Sequence, residues 1–339
     1  MKAQFPEFYR PSESDFRQLW QTCILGLDAN VLLNLYGYSD ATREQFLSLL
    51  ERLGPRIRMP YQFAWEYQRN RNRAIMEQVK NYAKAEKALS DLYDNEFAPK
   101  HRHPFLSDKR LKQFDQIRRE LTKNRQRHES FFKNDPYFDR ITNLVSNVSA
   151  KPTDGEIQVL FGEAKIRYAA QIPPGYADLK EKGEPAAYGD FIGWKQFLEI
   201  AKVEKKPAIL ITDDTKEDWW LIQGDRTVGP RPELISEFSR ECGSQCYLYS
   251  SDQFMKFAST YLDQPVEPEA IAEIAEWLRS FTQNLAEKKG IANLGGLPTD
   301  AKSAAASKPV ELPPTELATS PPKYVEPSTK PNDTPKGTG

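Results

Sequence analysis

The chain has 339 residues, 39% of them hydrophobic and 28% charged, with a formal net charge of −1. That length suffices for one large domain or two small ones with ample core. The near-neutral balance excludes a uniformly basic nucleic-acid binder, so any phosphate-binding surface must be regional.

The N-terminal stretch "MKAQFPEFYRPSESDF" lacks the apolar centre of a signal peptide. No apolar run approaches the roughly 20 residues of a membrane helix, so no membrane partner is expected. Three cysteines, Cys23, Cys242 and Cys246, form an odd set. Reduced thiols and a cytoplasmic location are expected. The histidines, His101, His103 and His128, sit in one segment far from the cysteines in sequence, and no structural zinc is expected.

In chain order, a short helix around Asp15–Gln21 leads into a buried strand, Cys23–Leu27, which ends at Asp28. Ser39 or Asp40 caps a helix carrying Phe46, Leu49, Leu50 and Leu53, and Gly54 ends it. "RIRM" reads as a short strand, and Pro60 opens a helix that carries Trp65 and Glu66. Strand–helix–strand–helix is the pattern of a parallel sheet with helices packed on it.

From about 77 to 150 the chain turns charged and helix-favouring, and two helices separated by "APKHRHPFLSD" read as an inserted hairpin. This segment holds 15 Lys/Arg against 11 Asp/Glu. It is either a solvated helical face or an arm that touches phosphates. The α/β pattern resumes with a capping box, Thr153 and Glu156, opening a helix. After the turn "IPPGYADLKEKGEP" comes a helix with Asp190 near its start. A buried strand, Ala208–Thr212, then ends in Asp213 and Asp214. A last strand, "QCYLYS", precedes a helix from Ser251 or Asp252, and another helix spans about 268–287. Residues 298–339 hold nine prolines among Ser, Thr, Lys and Ala, a composition that predicts a disordered tail.

Two buried strands therefore end in Asp, and two helices carry an acid near their start. In a parallel sheet these positions lie along one edge, where ligand sites form. Taken singly, Asp28, Asp190 and Asp213 are good helix caps, and Glu66 is a surface residue beside Arg69 or Asn70. Taken together, Asp28, Glu66, Asp190, Asp213 and Asp214 repel one another unless a hard divalent cation neutralises them. Arg69, Arg71, Arg73 and Lys216 offer phosphate contacts or plain surface charge. Trp219 and Trp220 offer base stacking or core packing.

The blocks "LDANVLLNLY", "MPYQFAWEYQRNR", "YGDFIGWKQ" and "ILITDDTKEDWW" resemble those of the PIN domain, in the larger bacterial PIN-like branch where "PPGY" and "GPRPELI" also recur. The resemblance runs over about 20–262. It implies a three-layer α/β/α fold with a central, mostly parallel sheet, in a nuclease domain over 1–262 interrupted by the helical insertion. A C-terminal helix (263–295) and the tail (296–339) would follow. It implies a Mg²⁺- or Mn²⁺-dependent nuclease site with Asp28, Glu66 and Asp190 as ligands and both Asp213 and Asp214 kept for the fourth position. Asn30 would support Asp28 or reach the nucleic acid, together with Arg69, Arg73 and Lys216. RNA is the favoured substrate and DNA the lesser one. A toxin or phage-defence role with a protein regulator is the corresponding expectation.

Two rivals remain at this point. A haloacid dehalogenase-like phosphatase also places Asp after its first strand, but that chemistry wants a second Asp two residues on, where this chain has Asn30. A catalytically silent PIN-like binding module would retain the fold alone.

Overall fold

The computed structural model describes residues 1–2, 4–97, 106–224, 226–263 and 265–280. The expected disordered tail and the end of the last helix lie outside these residues. Their order along the chain is α1 (Glu13–Thr22), β1 (Ile24–Leu27), α2 (Ala29–Asn34), α3 (Asp40–Leu53), β2 (Ile57–Arg58) and α4 (Tyr61–Leu92). Then come α5 (Asp108–Ser130), α6 (Pro136–Leu144), α7 (Asp154–Ala169), α8 (Leu179–Lys182) and α9 (Gly189–Glu204). The series ends with β3 (Ala208–Ile211), β4 (Trp220–Gln223), β5 (Arg226–Pro230), α10 (Pro232–Cys242), β6 (Cys246–Tyr249) and α11 (Ser251–Leu262). A further helix occupies 268–280.

The central sheet has the order β2-β1-β3-β6, and every pairing in it is parallel. β1, β3 and β6 read as continuous apolar runs because both of their faces are covered. Tyr247 and Tyr249 of β6 meet Phe16 and Trp20 of α1, with ring centroids 4.9 and 5.6 Å apart. On the opposite face Gly26 lies so close to Phe197 of α9 and Leu210 of β3 that a Cβ at Gly26 would strike both side chains. Trp194, Phe197 and Phe238 continue that layer into α10. The result is a three-layer arrangement around a four-stranded parallel sheet.

β1 connects outward to β2 on one side, whereas β3 pairs with it on the other. The strand order thus reverses between β1 and β3, the place where open parallel sheets leave a crevice at the carboxyl ends of their strands.

The hairpin differs from expectation at its root. With neither Gly nor Pro between residues 61 and 92, α4 runs unbroken for 32 residues, so the arm continues the Glu66-bearing helix without a joint near 77. α5 returns along it, held by Arg125–Glu86 (3.1 Å) and by Tyr82 against His128 (5.1 Å). Its base is fastened by Arg127 to Asp40 and by Arg71 to Asp135 (2.6 Å). The helix over 268–280 docks on α3: Glu273 accepts hydrogen bonds from Ser39 and Thr42, and Ile274 joins the main core. The β4–β5 hairpin and α10 were not anticipated as elements. Among the described residues no helix is long and apolar enough to cross a membrane.

Candidate metal and nucleic-acid site

Register brings the acids together. Leu27 pairs with Ile211, so the residues leaving β1 and β3 emerge side by side. Asp28 N donates to Ile211 O at 2.9 Å. Asp28 stands at the N-cap position of α2 yet makes no side-chain capping bond. Its Oδ2 instead accepts from Thr212 Oγ1 and from Asn30 Nδ2, both at 2.7 Å. The carboxylate at the end of the buried run is thus held across to the neighbouring strand end, and the helix-cap reading of Asp28 fails on that geometry.

Asn30 and Thr212 hold the two strand ends together. Asn30 Oδ1 accepts from Asp213 N at 3.0 Å, and Thr212 Oγ1 accepts from Asp214 N at 3.2 Å. Asn30 is therefore committed to the protein's own framework.

Glu66 lies on the inward side of α4, where Gln62 Nε2 donates to it at 2.7 Å. It rests on the first residue of α9: a Cβ at Gly189 would collide with Glu66 Oε1. Asp190 follows in the first turn of α9. The loop "PPGY" closes over it, with Gly175 at φ +90° and no room for a Cβ beside Asp190 and Tyr168. Trp219 Nε1 reaches Asp190 Oδ2 at 3.5 Å. Trp219 and Trp220 are buried and serve the core, not base stacking.

The two neighbouring aspartates divide. Asp213 is 6% exposed and accepts from Ser251 N, Ser251 Oγ and Asn34 Nδ2, each at 2.8 Å. It ties β3 to the start of α11. Asp214 turns the other way, where its Oδ2 lies 2.7 Å from Lys216 Nζ. Lys216 also pairs with Asp178 (2.6 Å) and faces Asp190 (3.6 Å). Asp178, which sequence reasoning passed over, follows "PPGY" and is 6% exposed. Its only sequence signal was its place beside that loop. Asp218 was also passed over; it is fully buried and accepts from Ala177 N at 2.9 Å, fixing the same loop.

The electrostatics describe one crowded edge. Burial pushes the Asp28 carboxyl well above the ordinary range, and the charges of Asp190, Glu66 and Asp214 push the same way. Burial, then Asp190, raises Glu66 to about 7. Asp214 is raised by burial against the opposing pull of Lys216. At Asp178 burial is outweighed by Lys216 and Lys182, and the carboxyl falls below its usual value. Burial acts against the Lys216 ammonium, but Asp190, Asp214 and Asp178 together raise it far above its ordinary value.

Oxygen donors in mutual repulsion suit a hard divalent ion in kind. In arrangement, no group of three or more His, Cys, Asp or Glu among the described residues forms a ready-made metal cluster. The ammonium of Lys216 lies among three of the acids instead. A groove of about 770 Å³ lies elsewhere, between the N-terminal segment, β5 and α10. None of these acids lines it. Arg69 and Arg73 are exposed on α4 beyond Glu66, Arg69 lying 5.1 Å over the Trp65 ring. Arg71 is taken up by Asp135.

The family model described as a PIN like domain matches residues 24–234, and the chain belongs to that family. This is a nuclease-type fold whose members typically use divalent metal ions, and it points to nucleic acid as partner. No curated protein and no solved structure matches the chain.

Proposed function

We propose that the chain is a Mg²⁺- or Mn²⁺-dependent endonuclease that hydrolyses phosphodiester bonds, with RNA favoured over DNA. The observation that carries this reading is the electrostatic crowding of Asp28, Glu66, Asp190 and Asp214 at the β1/β3 switch point. Such a concentration of buried negative charge costs stability unless a cation offsets it. The ion supplies Lewis-acid activation of water and offsets charge building on the scissile phosphate.

The chain's own residues do the rest. Asp28, Glu66, Asp190 and Asp214 would hold the ion. Asn30 and Thr212 orient Asp28 through 2.7 Å hydrogen bonds. Burial and Asp190 raise the Glu66 carboxyl to about 7 without metal, so Glu66 would give up its proton as it takes the ion. Arg69 and Arg73 would reach phosphate oxygens flanking the cleaved bond. Asp213 supports the strand ends and is removed from the ligand set. A toxin or phage-defence setting with a protein regulator stays the biological expectation of the family resemblance. The test is incubation of mixed RNA and DNA pools with the protein plus Mn²⁺ or plus EDTA. Mn²⁺-dependent cleavage supports the reading. Cleavage of neither polymer, with Mn²⁺ bound, would favour the silent binding module.

A further inference from the structure

Lys216 is held from both ends. Its backbone N donates to Asp214 Oδ1 at 2.8 Å, and its Nζ lies 2.6 Å from Asp178 Oδ1, 2.7 Å from Asp214 Oδ2 and 3.6 Å from Asp190 Oδ2. The three acids come from three segments: the loop after "PPGY", the end of β3 and the first turn of α9. The side chain is 26% exposed, so the ammonium is mostly enclosed by its partners. Asp178 has its other oxygen on Lys182 at 2.5 Å, and its loop is pinned by fully buried Asp218. Among the described residues Asp28 and Glu66 form no ion pair: the hydrogen bonds they accept come from Thr212, Asn30 and Gln62, and only the more distant charge of Lys182 acts on Glu66. The acidic edge thus holds one fixed cation, shared by Asp178, Asp190 and Asp214, and an exchangeable ion would add Asp28 and Glu66 to Asp190 and Asp214 as its ligands.

We propose that Lys216 is the resident cation of this site: it stands in place of a second divalent ion among Asp178, Asp190 and Asp214, holds them together without metal, and restricts the chain to one exchangeable ion beside Asp28 and Glu66. The inference rests on the metal-dependent reading above. A fixed ammonium within ion-pair distance of the same oxygens repels a second dication. Methionine fills similar space without charge, whereas arginine retains the charge. Lys216 is accordingly a positioning residue, and metal count separates that role from simple packing.

The experiment uses the full chain as wild type, Lys216→Met and Lys216→Arg, at pH 8. It reads the melting temperature in EDTA and the number of Mn²⁺ ions bound per chain. Wild type should bind one ion. Lys216→Met should melt about 5 °C or more lower in EDTA, recover when Mn²⁺ is added, and bind two ions. Lys216→Arg should follow wild type in both readings. Two ions on the wild-type chain would overturn the proposal, even if Lys216→Met does not fold. So would an unchanged melting temperature or ion count in Lys216→Met. Binding by all three proteins with the same count defeats the proposal alone, whereas no Mn²⁺ on any of them defeats the metal-dependent reading and the proposal with it.

Discussion

Asn30 Nδ2 lies 2.7 Å from Asp28 Oδ2 while its Oδ1 accepts from Asp213 N at 3.0 Å. One amide therefore clasps the ends of β1 and β3. Asn30→Asp keeps the acceptor but replaces the donor with a second carboxyl beside Asp28. We expect a loss of about 1–3 kcal/mol in stability, together with a fall in cleavage, checked by urea unfolding and cleavage assays at pH 8. Wild-type stability would show that the clasp contributes nothing.

Asp28→Asn leaves an oxygen able to accept from Thr212 and Asn30 while removing a buried charge. Because burial and the neighbouring acids raise this carboxyl, its ionisation works against the fold as pH rises. The variant should therefore melt in EDTA at or above the wild-type temperature and lose cleavage by about 100-fold or more. A clearly lower melting temperature would assign Asp28 to the framework alone.

Glu66 sets a pH dependence. Its folded value of about 7 lies above its usual 4.5, so between these values the folded state holds more protons than the unfolded one. Stability without metal then falls as pH rises through this window, by at most about 3 kcal/mol from this group. Glu66→Gln should flatten that part of the profile. Mn²⁺ affinity should strengthen as pH passes 7, since binding displaces the proton. Stability profiles from pH 5 to 8 in EDTA, paired with Mn²⁺ titrations, check both signs.

The arm calls for a charge test that spares its fastenings. Arg125 and Arg127 pair with Glu86 and Asp40, so their replacement would loosen the hairpin itself. Lys84, Lys87, Arg119 and Lys123 are exposed. Changing these four to Glu should weaken nucleic-acid binding and flatten the salt dependence by about one log unit per lost phosphate contact. An unchanged slope would make the arm a solvated spacer.

Much of this was legible in the sequence. β1, β3 and β6 are continuous apolar runs, the first two leading into acids, and the caps at Ser39 and Thr153 are marked by their own side chains. β4 and β5 escaped notice because they are short and largely exposed, with burial on neither a two- nor a 3.6-residue period. The division between Asp213 and Asp214 was also hidden. Adjacent residues leaving a strand point to opposite sides, and only the position of Ser251 and Lys216 tells which side is which. Asp178 is recruited across 38 residues by Lys216, a pairing that no local pattern announces.

The most direct test of the metal-site account is the single-turnover rate of Mn²⁺-dependent RNA cleavage in Asp214→Asn, with folding verified by its melting curve. Asp214 faces the acidic edge while Asp213 is bonded to Ser251 and Asn34. The account predicts a rate at least about 100-fold below wild type, or ~3 kcal/mol of lost transition-state stabilisation. A folded Asp214→Asn protein that cleaves at the wild-type rate would contradict it.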